Sequence, residues 1–241
     1  MDPTRWLIIG LTLFMVLFTL IFERSALIAQ RDQHDHRGIY FRAGCFKALS
    51  SLGFVLLYGW SVSAGGSSCA QATWLLIALL ASAVGDLALI GQRDVFFLTG
   101  LSAFFCAHLA YATSVLIPMM NSTGAESLGG QLGITLLFTG SASLYAFRAF
   151  LPEIPPQLRA PSAAYAAVIA VMVASCFVRA YERSCVWLGL ASLAFWISDL
   201  AVARQRFHGP RLPLGGFSVR RWGLPLYYVA QLIFALEASP H

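Results

Sequence analysis

The stretch Ala83-Val84-Gly85-Asp86-Leu87-Ala88-Leu89-Ile90 sets one carboxylate near the end of a segment that carries no other charge from Trp74 onward. A second copy follows 113 residues later, where Ser198-Asp199-Leu200-Ala201-Val202-Ala203-Arg204-Gln205-Arg206 matches Gly85-Asp86-Leu87-Ala88-Leu89-Ile90-Gly91-Gln92-Arg93. An ionisable group in an apolar, membrane-length segment is costly to keep there, so each aspartate marks a candidate functional position.

Composition agrees with a membrane reading of these segments. The chain is 58% hydrophobic and 11% charged, with a mean hydropathy of +0.71, far from an ordinary soluble domain. A spanning helix needs roughly 17 to 25 mainly apolar residues. Eight stretches qualify: about Trp6–Phe22, Gly44–Val62, Ala72–Ile90, Val95–Ile117, Gln131–Phe150, Ser162–Val178, Cys185–Ala203 and Trp222–Leu236. The expected fold is therefore all-α, one polytopic domain of eight transmembrane helices over residues 1–241. The first stretch has no small-residue cleavage site and runs into Glu23-Arg24, so it is read as a retained helix rather than a signal peptide.

The net charge of +5 follows topology, and nothing in it resembles a nucleic-acid footprint. Thirteen of the sixteen basic residues fall on one side: Arg24, Arg31, Arg37, Arg42 and Lys47, Arg93, Arg148 and Arg159, and Arg204, Arg206, Arg211, Arg220 and Arg221. Only Arg5, Arg179 and Arg183 fall on the other. Basic residues collect in cytoplasmic loops, which puts both termini outside. Fifteen of the sixteen are Arg, a usage that suggests a GC-rich bacterial genome and hence the inner membrane.

Depth unites three charges. At about 1.5 Å per residue, Asp86 lies roughly 10 Å before Arg93, Asp199 roughly 8 Å before Arg204, and Lys47 roughly 8 Å past Arg42. Three ionisable groups on three helices are thus expected in one layer. The repeat also extends further. Phe104-Phe105-Cys106-Ala107-His108-Leu109-Ala110-Tyr111-Ala112 follows the first aspartate, and Tyr227-Tyr228-Val229-Ala230-Gln231-Leu232-Ile233-Phe234-Ala235 follows the second, now at an offset of 123. This points to a four-plus-four duplication with both halves in the same orientation, about 1–118 and 131–241. His108 and Gln231 are then equivalent, as are Asp86 and Asp199, and the site lies between the halves.

These residues resemble a known family. The run from Trp74 to Tyr111, with Gly85-Asp86 and Phe97-Leu98-Thr99-Gly100-Leu101 through Ala107-His108-Leu109-Ala110-Tyr111, is similar to the central signature of the YhhN-like membrane proteins, which include lysoplasmalogenases. Ser198-Asp199, Arg206-Phe207 and Tyr227-Tyr228-Val229-Ala230-Gln231 resemble the other half of that signature. The family's Lys-Pro pair is Lys47-Ala48 here, so the amine is retained and the proline is not. The resemblance covers about 200 residues from Lys47 onward.

What it implies is hydrolysis of the vinyl ether bond of a lysoplasmalogen, giving a fatty aldehyde and glycerophosphocholine or glycerophosphoethanolamine, with a lysophospholipid substrate, surrounding membrane lipid and no cofactor. Such a bond is hydrolysed by slow protonation of its β-carbon to an oxocarbenium ion, which water captures. Two carboxylates in an apolar site can supply a protonated acid and a negative partner, the logic glycosidases use on a similar transition state. Asp86 and Asp199 are the expected acid and base pair. Lys47 would support the ionised member or hold the phosphate, and Tyr228, Gln231 and His108 would orient water and the glycerol hydroxyl. Tyr227 and Tyr111, from the same aromatic motif, complete the expected substrate-binding set.

Blander readings stand beside these. Asp86 and Lys47 also suit a structural ion pair, His108 a hydrogen-bonded core residue, and Tyr227 and Tyr228 interfacial aromatics. Tyr145, Tyr165 and Ser141-Ala142-Ser143 read as helix packing. Arg204, Arg206, Arg220 and Arg221 read as topology determinants, any of which could meet a phosphate. Only His108 of the five histidines falls inside a predicted helix, and no Cys-x-x-Cys is present, so an intramembrane zinc hydrolase lacks ligands. His34-Asp35-His36 reads as a solvated loop, while Cys69 and Cys185 lie near one face and could pair. Outside enzymology, a proton-coupled small transporter or a non-enzymatic lipid-binding bundle would use the same carboxylates. Oligomeric state is not legible in the chain.

Overall fold

In hydrocarbon a backbone can satisfy its N–H and C=O groups only internally, and long apolar runs meet that demand as helices. The computed structural model describes residues 3–32, 37–63, 69–91, 93–122, 125–208 and 217–238. Eight helices follow one another: α1 (Pro3–Arg31), α2 (Arg37–Ser63), α3 (Cys69–Ala88), α4 (Asp94–Ser122), α5 (Ala125–Phe150), α6 (Pro156–Glu182), α7 (Trp187–His208) and α8 (Phe217–Leu236). A single 3-10 turn, Leu151–Glu153, joins α5 to α6, and no strand occurs among the described residues. The expected all-α, multi-pass architecture is what the chain adopts.

Seven of the helices are long and apolar enough to cross a membrane. The eighth expected span, α8, falls short of that criterion because it carries Arg220, Arg221, Tyr227, Tyr228 and Gln231. It packs against α1, α2, α3 and α7, where Arg220, Tyr227 and Tyr228 find protein partners in Glu23, the Ser82 carbonyl and Asp86. At the periphery the opposite holds. Helix α5 packs chiefly on α6 and leaves Ile134, Leu137, Phe138 and Tyr145 exposed, as a lipid-facing surface would.

Helix ends differ from the hydropathy reading. Helix α1 runs nine residues past Phe22 to Arg31, and α2 begins at Arg37 rather than Gly44, because Ala, Leu, Gln and Arg are good helix formers whatever their polarity. Much of the expected charged loop is therefore helix. Likewise α7 continues to His208, so His108 is not alone among the histidines in lying within a helix. His34-Asp35-His36 and Arg211 lie outside the described residues. Helix α3 instead ends early, its last turn tightening as the Ile90 and Gly91 N–H groups bond the Leu87 and Ala88 carbonyls at 3.1 and 3.0 Å.

Consecutive helices pair as hairpins, and the hairpins join through α2 on α3, α6 on α7, α4 on α6 and α8 on α2. Exchanging residues of the first half with the second leaves that set of contacts unchanged. Two glycines tighten equivalent hairpins. A Cβ on Gly100 would sit 3.2 Å from the Gly85 carbonyl and 2.9 Å from Leu89, and one on Gly223 would sit 2.6 Å from the Ala201 Cβ, with the Ser198 carbonyl at 3.9 Å. Since an Ala Cβ cannot move aside without its backbone, Gly223→Val should separate α7 from α8. A loss of about 1–3 kcal/mol is expected from such overpacking, read as a lower unfolding midpoint in detergent.

Between the halves sits an aromatic core. Tyr227 lies edge-on to Phe104 and Phe195 at 5.8 and 5.6 Å between centroids, and Tyr111 stacks on Phe234 at 4.2 Å. These rings tie α4 and α7 to α8, beside the two aspartate-bearing helices α3 and α7.

Candidate active site

Asp86 sits in the last turn of α3, where the helix dipole disfavours a negative charge. Three donors from two other helices offset this. Lys47 Nζ lies 2.9 Å from Oδ1, and the Ser51 hydroxyl donates to Oδ2 at 3.0 Å. The Tyr228 hydroxyl donates to the same oxygen through a short contact. Lys47 and Ser51 are four residues apart, so one face of α2 presents both. An amine and two hydroxyls thus converge on the two oxygens of Asp86.

Asp199, near the middle of α7, has a different set of neighbours. His108 Nε2 from α4 lies 2.9 Å from its Oδ2, and the Tyr165 hydroxyl from α6 lies 3.2 Å from the same nitrogen. Among the described residues no lysine or arginine is paired with it. Its side chain is 12% exposed, against 4% for Asp86. The difference matters because the exposed part borders empty space.

Two cavities meet there. The larger, about 630 Å³, carries the charged groups: Lys47, Asp86, Asp199, Glu23, Arg93, Arg206 and Arg220 line it together with Tyr227, among apolar residues. The smaller, about 100 Å³, is apolar and runs between α5, α6 and α7, lined by Phe147, Phe150, Ile154, Ala166, Trp196 and Phe207. Asp199 is the one carboxylate that lines both. A charged compartment joined to a greasy one at a carboxylate suits an amphiphile with a scissile bond at its polar–apolar junction.

The expected site residues divide into three groups. Asp86, Asp199, Lys47 and Tyr227 line the larger cavity. His108 and Tyr228 line neither cavity and touch the carboxylates from behind. Tyr111 and Gln231 also line neither; the Tyr111 hydroxyl donates to Gln231 Oε1 at 2.5 Å in the sealed core. Gln231, expected as the counterpart of His108, does not reach an aspartate, whereas Tyr228 reaches Asp86. Of the three ionisable groups expected in one layer, Lys47 is paired with Asp86 and Asp199 with His108, and all three line the larger cavity.

Three other expectations change. Tyr227 and Tyr228 are buried core residues, not interfacial aromatics. Tyr165, read as packing, is the hydroxyl beside His108 and Asp199, and Ser143 borders the apolar cavity. Nothing in the linear pattern marks Tyr165, whereas Ser51 was within reach as the residue one turn beyond Lys47. All five cysteines are free, Cys69 and Cys185 included.

Comparison with known proteins follows the same residues. The sequence profile of the YhhN family matches residues 44–238. Lysoplasmalogenase TMEM86B of Rattus norvegicus is 34% identical over 185 residues, covering 76% of this chain and 68% of that protein. Lysoplasmalogenase TMEM86A of Bos taurus is 28% identical over 174 residues, 70% of this chain and 66% of that protein. The Homo sapiens TMEM86A is 30% identical over the same length and shares. The chain thus spans about two thirds of the length of these relatives. No solved structure matches.

Proposed function

The chain belongs to the YhhN family, and from that premise we propose that it is a lysoplasmalogenase, an ether hydrolase that converts a 1-alkenyl lysophospholipid into a fatty aldehyde and a glycerophospho-choline or glycerophospho-ethanolamine. The observation that carries this reading is the junction of the two cavities at Asp199. The alkenyl chain occupies the apolar cavity, the head group the charged one, and the vinyl ether lies between them beside the carboxylate.

In the mechanism, Asp199 arrives protonated and delivers its proton to the β-carbon of the vinyl ether. The electron pair of the double bond forms the new C–H bond, and the positive charge appears on the ether carbon and oxygen. His108 donates from Nε2 to Asp199 Oδ2, which leaves Oδ1 to carry the proton toward the substrate. Asp86, already ionised against Lys47, stabilises the oxocarbenium ion across the cavity. Asp199, now a carboxylate, takes a proton from the water that adds to the cation, and the hemiacetal then collapses to aldehyde and glycerol hydroxyl. One residue serves as acid and then as base, so the carboxylates divide proton transfer from charge stabilisation. The charge asymmetry along the chain supports a head-group cavity at the cytoplasmic face, and the exchangeable helix contacts support an internal duplication.

The buried Lys47–Asp86 and His108–Asp199 pairs favour one second reading, a proton-coupled transporter. The purified protein in detergent separates the two. A hydrolase should release fatty aldehyde from lysoplasmalogen there, with no gradient present, and should leave the saturated 1-alkyl ether untouched. Activity that requires sealed vesicles and a proton gradient would replace the hydrolase reading with transport.

A further inference from the structure

The charges around the larger cavity are almost all engaged. Lys47 is paired with Asp86. Arg220 grips Glu23 through two contacts of 2.6 Å, Nε to Oε2 and a terminal nitrogen to Oε1. Arg206 holds Asp94 at 2.5 Å, with its guanidinium 4.6 Å over the Phe97 ring. Arg93 lines the same cavity, is exposed, and has no ion pair or side-chain hydrogen bond among the described residues.

Its backbone, in contrast, is tied down. The Arg93 carbonyl accepts the N–H groups of Phe96 and Phe97 at 3.0 and 3.3 Å, at the start of α4. The neighbouring carboxylate most able to neutralise it, Asp94, is held by Arg206 instead. The charge count follows. Lys47, Arg93, Arg206 and Arg220 face Glu23, Asp86 and Asp94, so when Asp199 holds a proton one positive charge is left over, and it belongs to Arg93.

We propose that Arg93 binds the phosphate of the lysolipid and sets the preference for a phosphate-bearing head group over a neutral glycerol ether. This rests on the reading of the two joined cavities as a lysolipid site. A guanidinium matches two phosphate oxygens with parallel N–H donors. The other two arginines would each have to release a carboxylate first.

Two ligands that cannot be cleaved test this: 1-O-alkyl-glycerophosphoethanolamine and 1-O-alkylglycerol, titrated onto wild-type protein and Arg93→Gln in nanodiscs. The variant should bind the phosphate-bearing ether about tenfold to a hundredfold more weakly, as expected for loss of a charge-assisted contact, and bind the neutral ether as before. Arg93→Lys should restore part of the difference. With vinyl ether substrates, Arg93→Gln should raise KM for the phospholipid alone and leave kcat unchanged. Equal weakening for both ethers, or no weakening for either, overturns the assignment. A wild type that discriminates through Arg93 yet cleaves no vinyl ether would sink the hydrolase reading and leave the phosphate site standing; a wild type that binds neither ether would remove both.

Discussion

Asp199→Asn is expected to slow aldehyde release by about 10²- to 10⁴-fold, the usual contribution of a positioned general acid, while the protein keeps its wild-type unfolding midpoint. The second half of that expectation comes from the neighbours. His108 and Tyr165 are groups that can be neutral, and an asparagine carbonyl can still accept a hydrogen bond at the Oδ2 position. No buried cation is stranded by the change. What disappears is the proton carried at the meeting point of the two cavities. A single-turnover measurement of aldehyde from a lysoplasmalogen, made on folded Asp199→Asn, decides the matter. A rate within tenfold of wild type would remove Asp199 from the chemistry and with it the division of labour proposed for the two carboxylates.

Lys47→Met should show the reverse pattern, with stability as the larger effect. Lys47 is 2% exposed and its Nζ is 2.9 Å from Asp86, so removing the ammonium leaves a charged carboxylate buried in an apolar bundle. Breaking a buried pair from one side costs about 3–5 kcal/mol, although the Ser51 and Tyr228 hydroxyls soften the loss by continuing to donate to Oδ2. The double variant Lys47→Met with Asp86→Asn removes both charges and should recover most of that stability, because two neutral side chains carry no comparable desolvation penalty. Unfolding midpoints of wild type, both single variants and the double variant in one detergent form the required cycle. If Lys47→Met alone falls within about 1 kcal/mol of wild type, the ion pair is not what holds α2 to α3. Aldehyde release from the double variant adds a further distinction: recovered stability without recovered activity is the result expected of a charge-stabilising Asp86.

The two experiments separate roles that look the same along the chain. Asp86 and Asp199 stand in equivalent sequence contexts, each near one end of a repeated motif. In space, one is locked by an ammonium and two hydroxyls, and the other shares a nitrogen with a tyrosine and faces a cavity. Their difference lies in Lys47 and Ser51 of α2 against Tyr165 of α6, and in Tyr228 of α8 against His108 of α4. Tyr165 shows why it was hidden: an isolated tyrosine in an apolar helix has no partner residue in the sequence, and its meaning depends on the rotation of α6 about its own axis. A rotation of one residue, about 100°, would turn that hydroxyl away from Asp199.

The sequence alone determined the class of molecule and singled out the charges inside its apolar runs. Apolar runs of spanning length must be helices, because backbone groups in lipid have no other partners, and a carboxylate or amine inside such a run stands out without any structure. Asp86, Asp199 and Lys47 were visible for that reason, and the family resemblance rested on the motifs around them. The tertiary structure decided which charge faces which. It gave Lys47 to Asp86 and His108 to Asp199, turned Tyr111 and Gln231 toward each other, packed the polar α8 against four other helices, and left Arg93 without a carboxylate among the described residues. Those outcomes depend on how helices distant in sequence rotate and pack against one another, and hydropathy carries no record of that.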